Sequence, residues 1–72
     1  TKEDVQKKLA SQKDFLPVNL YSEVSSLLER ELAQVTLNEI FHLLKKYDLA
    51  SEEEKSERNK VLKKLVEKTK FI

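Results

Sequence analysis

Glycine is missing from all 72 residues, and proline occurs once, at Pro17. That absence constrains the fold more than any residue that is present. Tight hairpin turns, phosphate-cradling loops and nucleophile elbows use glycine where a Cβ will not fit. Helices joined by short links remain easy to build. No run alternates apolar and polar residues with the β-branched enrichment of a strand. The chain is therefore expected to be all-α, a small bundle of three to four helices, with dimerisation available to complete it. One domain spans residues 1–72, with 1–18 as a weaker N-terminal helix or arm and 19–72 as the main helices.

A core this small is thin. A single core below about 70–80 residues rarely supplies more than ~3–5 kcal/mol without added support. Cysteine is absent, so neither a disulfide nor a thiolate metal site can supply it. One histidine makes a metal site within one chain implausible, and no cofactor is expected. Hydrophobic residues are 39% of the chain, enough for a packed core rather than a disordered coil. The formal net charge of +1 exerts no general pull toward nucleic acid or anionic membrane. No apolar run approaches the ~18–20 residues that span a bilayer. No leader-like segment heads the chain, so a cytoplasmic protein that does not enter membranes is expected.

Four helices are expected. The first covers 2–13, with Thr1 as its cap and Val5, Leu9 and Ala10 as a narrow apolar stripe. Pro17 then breaks the chain within an apolar link, Phe15 to Val18. The second covers 20–34 behind Asn19, with Leu20, Val24, Leu27, Leu28 and Val35 on one stripe and Tyr21 at its edge. The third covers 37–48, opened by the capping box Thr36 and Glu39, and carries Ile40, Phe41, Leu44 and Tyr47. Between these two only Thr36 signals a break, so one long helix over 20–47 is the alternative. The fourth covers 52–70, opened by a second capping box at Ser51 and Glu54. Its first half, 52–60, has no apolar side chain and so nothing to bury.

Chemistry-bearing clusters are few. Glu39 and His42 share a helix face, as in carboxylate metal bundles, but one copy offers one such pair. They point away from the stripe of Leu37, Ile40 and Leu44 and are expected to face water. Glu52, Glu53, Glu54 and Glu57 lack apolar neighbours that would raise a carboxyl pKa for acid catalysis. No elbow surrounds any serine. An enzyme is not expected. Lys63, Lys64, Lys68 and Lys70 against Glu67 leave +3 over residues 61–72, which dipole complementation already explains.

The apolar side chains carry the functional expectation. Phe15, Leu16, Val18, Leu20, Tyr21, Leu43, Leu49, Phe71 and Ile72 are many for so small a bundle. Either the Phe15–Val18 link folds over the core, or part of this surplus stays outside as a binding surface. The reading is a small intracellular adaptor or regulator that binds a protein partner through its helices and self-associates as a homodimer. Leu20, Val24, Leu27, Leu28, Ile40, Phe41, Leu44 and Tyr47 are assigned to the core or dimer seam. Phe15, Leu16, Tyr21, Glu53, Glu57 and Arg58 are assigned to the partner-facing surface. The alternative is a nucleic-acid-binding module using Lys60, Lys63, Lys64 and Lys68.

Overall fold

In the computed structural model, α1 covers Lys2–Ser11, α2 Val18–Leu27, α3 Gln34–Leu44 and α4 Glu52–Lys70, with one 3-10 turn at Tyr47–Leu49. Residues 2–70 are described; the expected Thr1 cap, Phe71 and Ile72 lie outside them. The described residues are all-helical. α1 packs mainly on α3 and α2 mainly on α4, so the principal pairs are formed by alternate helices. The radius of gyration is 11.1 Å, matching the ~11 Å of a compact chain of this length. The long-rod alternative is thereby excluded.

α1 is a full member of the bundle rather than an arm. Val5 and Leu9 lie one turn apart on the same face, and both are buried. The helix ends at Ser11, whose hydroxyl donates to the Lys8 carbonyl at 2.7 Å. A tightened turn follows, with the Phe15 and Leu16 amides both bonded to the Gln12 carbonyl. This turn swings Leu16 into the core at 5% exposure.

α2 begins at Val18 rather than residue 20, because Pro17 serves as its N-cap (φ −56°, ψ 138°). Proline's fixed φ suits a helix start, and its carbonyl accepts the Tyr21 amide at 2.9 Å. Asn19 falls inside the first turn and does not cap. The helix stops at Leu27, seven residues short of the expected end. The Glu29 and Arg30 amides bond three residues back, to Ser26 and Leu27, which winds the end tight. Leu28 thereby enters the core, and residues 28–33 form the link. The Lys2 ammonium donates to the Arg30 carbonyl at 3.1 Å, and the Arg30 guanidinium donates to the Thr69 carbonyl. The link is thus pinned to both ends of the chain.

α3 starts at Gln34 behind an extended Ala33, so the expected Thr36 capping box does not form. Val35, expected on the second helix's apolar stripe, belongs to α3 and is 71% exposed. The helix ends at Leu44 instead of 48. Lys45 is extended, and Lys46 is left-handed (φ 56°). α4 starts as expected, with Ser51 Oγ accepting the Glu54 amide at 3.2 Å. Leu62 and Val66 carry its second half into the core.

Candidate functional site

Seven of the eight residues assigned to the core or seam lie in the core of one copy: Leu20, Val24, Leu27, Leu28, Ile40, Leu44 and Tyr47. Phe41 is half-buried at the edge, with the Lys8 ammonium 5.7 Å from its ring centroid. The six residues assigned to the partner-facing surface do not stay together. Phe15 is 49% exposed, and Glu53 and Glu57 are exposed. Leu16 is a core residue instead. Its place in the turn before Pro17 was legible; the inward direction of that turn was not. Tyr21 is half-buried, with the Lys13 ammonium 5.8 Å from its ring centroid.

Arg58 has an intramolecular task. Its Nη1 donates to the Lys45 carbonyl at 2.9 Å and the Leu43 carbonyl at 3.4 Å. These oxygens lie where α3 stops and no further turn exists to occupy them. A cation there also meets the negative end of the helix dipole. Glu54 holds the guanidinium from the other side, 3.6 Å from Nη2. One residue on, Asn59 Oδ1 accepts a 2.6 Å hydrogen bond from the Tyr47 hydroxyl. Burial raises the Tyr47 pKa above its ordinary value, and the Glu52 carboxylate adds to the rise while Arg58 opposes it. From the turn after α1, the buried Gln12 accepts the Asp48 amide at 2.9 Å through Oε1. The polar half of α4, expected to find nothing to cover, therefore covers the α3–α4 corner.

The apolar groups left outside fall elsewhere. Val18 and Leu49 are largely exposed at two of the turns. Phe15 is exposed in the turn before Pro17, and Val35 and Val61 lie along α3 and α4. With Ile40, Leu44 and Leu37 turned inward, helical spacing puts Val35 and His42 on the opposite side, between Asn38 and Glu39. A shallow groove between α3 and α4 is lined by Val35, Asn38, Glu39, His42, Leu43 and Val61. Val61 is 40% exposed and Leu43 is half-buried. The Phe41 ring meets the His42 ring edge-on, with centroids 6.2 Å apart. On the other flank of α3, a groove of about 500 Å³ runs along α1, lined by Asp4, Val5, Lys7, Lys8, Ser11, Asn38 and Phe41.

Sequence reasoning missed Val35 and Val61 as surface groups. The signal for Val35 was its seven-residue spacing from His42, which puts both on the outer side of α3 once that helix begins at residue 34.

Lys60, Lys63, Lys64 and Lys68 are all exposed along the outer side of α4. Glu57 and Glu67 share that side, and Glu57 Oε1 lies 3.7 Å from the Lys60 ammonium. Among the described residues, no three His, Cys, Asp or Glu side chains of one copy gather closely enough to hold a metal ion. No helix among them is long and apolar enough to cross a membrane. No protein-family model, curated protein or solved structure matches this chain.

Proposed function

We propose that this chain is a small intracellular adaptor or regulator that acts by helix-mediated protein binding and self-associates. The observation behind the reading is the α3–α4 groove, where Val35 and Val61 stay exposed although the core beneath them is closed. A contiguous apolar surface on a small protein marks a contact site more often than not. Covering it contributes ~25 cal/mol per Å², before association costs, or about 2 kcal/mol for each copy's groove. For a bundle of roughly 3–5 kcal/mol, that is a large fraction of the stability of the single copy.

Sedimentation velocity across a wide concentration range tests the reading. The expected result is a weight-average mass that climbs toward two copies. Val35→Glu, which places a charge on the exposed side without touching the core, is expected to weaken association about tenfold or more at unchanged helicity. A single species of one-copy mass at every attainable concentration, together with an unaffected variant, removes self-association through this face.

A further inference from the structure

We infer that the first half of α4, residues 52–60, is a strap that lifts off the α3–α4 corner by local unfolding while the rest of the bundle stays folded. The inference stands apart from self-association and requires no partner.

The segment has no apolar anchor. No side chain in 52–60 is buried, whereas Leu62 and Val66 in the second half are 0% and 4% exposed. That second half meets α2, where Ser26, Leu27, Val66 and Thr69 line one groove. The ties of the first half are polar and land on residues 43–47. Arg58 donates to the Leu43 and Lys45 carbonyls, and Asn59 accepts from the Tyr47 hydroxyl. The Lys55 ammonium stands 5.9 Å from the Tyr47 ring centroid. The ion pairs Glu52–Lys55, Glu54–Arg58 and Glu57–Lys60 lie within the segment and fasten it to no other element. Glu53 and Glu57, one turn apart, repel each other. A helical stretch this short is marginal without an apolar face to pack.

The surroundings let the strap move without the core. Upstream, Lys46 is held left-handed at φ 56°, a strained setting for a residue with a Cβ, and lifting the strap lets it relax. Downstream, Leu62 marks where the core takes hold of α4. Gln12 Oε1 accepts the Asp48 amide at 2.9 Å from outside the strap, so the turn carrying Tyr47 stays in place. The open state therefore bares the side of the Tyr47 ring that faces α4, together with the last carbonyls of α3. Segments with few buried apolar contacts are where such partial opening occurs.

Native-state hydrogen exchange, read amide by amide on the full chain, tests this. The amides of Ser56–Lys60 are expected to share one protection factor, about tenfold or more below those of Phe41–Leu44 and Leu65–Lys68. Ile40→Val, a mild change at a fully buried site, is expected to speed the core amides about two- to tenfold and leave Ser56–Lys60 unchanged. Arg58→Ala is expected to speed both sets about two- to tenfold, because its ties are lost in either opening. Strap amides as protected as the core, and accelerated with it by Ile40→Val, overturn the inference. Protection that climbs steadily from Ser56 to Lys60 reports ordinary fraying of a helix end and overturns it too.

Discussion

Replacing Tyr47 separates what packs the α3–α4 corner from what hydrogen-bonds it. The side chain is 1% exposed and is the largest of those fully buried. Removing a large aromatic side chain from such a site costs about 3–5 kcal/mol. That equals the ~3–5 kcal/mol available to a core of this size, so Tyr47→Ala is expected to be largely unfolded in buffer at 25 °C. Tyr47→Phe keeps the ring and deletes only the 2.6 Å bond to Asn59. Asn59 is half-buried, so water can take over its carbonyl, and the expected cost is about 0.5–1.5 kcal/mol. With a urea m-value near 1 kcal/mol/M for a small domain, the midpoint falls by roughly 0.5–1.5 M. Circular dichroism against urea, at one fixed protein concentration, reads both variants. The pair also carries a pH signature. The folded pKa of Tyr47 lies above that of the unfolded chain, so the native state holds its proton longer. The associated stability is complete below about pH 10, the ordinary tyrosine value, and is lost as pH rises through the raised folded value. Tyr47→Phe should lack that alkaline loss. A Tyr47→Ala protein that unfolds within about 0.5 kcal/mol of wild type would put the side chain at the surface and refute the packing described here.

Lys46→Gly is expected to raise stability by about 0.5–1 kcal/mol, since a left-handed lysine carries a Cβ penalty of ~1–2 kcal/mol and glycine returns part of it as chain entropy; a lower thermal midpoint would contradict this. Arg58→Ala is expected to cost about 0.5–1.5 kcal/mol, since water can take over the exposed Lys45 carbonyl when the guanidinium is gone, and Arg58→Lys, with one ammonium in place of a planar fork, should recover only part of it in the same urea assay. Ser51→Ala should cost about 1 kcal/mol, equivalent to roughly 4–8 °C in thermal midpoint, because the Glu54 amide loses its cap.

The all-α class and the start of α4 were legible because their signals are local. Absent glycine, absent strand alternation and a Ser-x-x-Glu box each act within a few residues. The buried side chains of α2 and α3 were legible for the same reason, through 3.6-residue spacing. Helix ends were not. Thr36 carries the same box as Ser51, yet α3 starts two residues before it, because Leu28 and Leu32 must turn inward and the chain needs its link earlier. Pro17 was read as a barrier when it also serves as a cap. Arg58 showed on the sequence as a charge on a polar segment. Its use depends on where α3 stops, and nothing within four residues of Arg58 encodes that.

The ties at the α3–α4 corner have a further consequence for which substitutions the protein can accept. Arg58 grips the carbonyls of residues 43 and 45, and Gln12 grips the amide of residue 48. All three atoms belong to the main chain and are present whatever side chain stands there. Lys45, Asp48 and Leu49 can therefore drift to many other residues with little penalty, whereas proline at 48 would strip away the gripped N–H. A saturation library should come out permissive at 45, 48 and 49 apart from proline and restricted at Lys46, whose φ is 56°, and at the buried Tyr47, while changes at Gln12 or Arg58 loosen the whole corner.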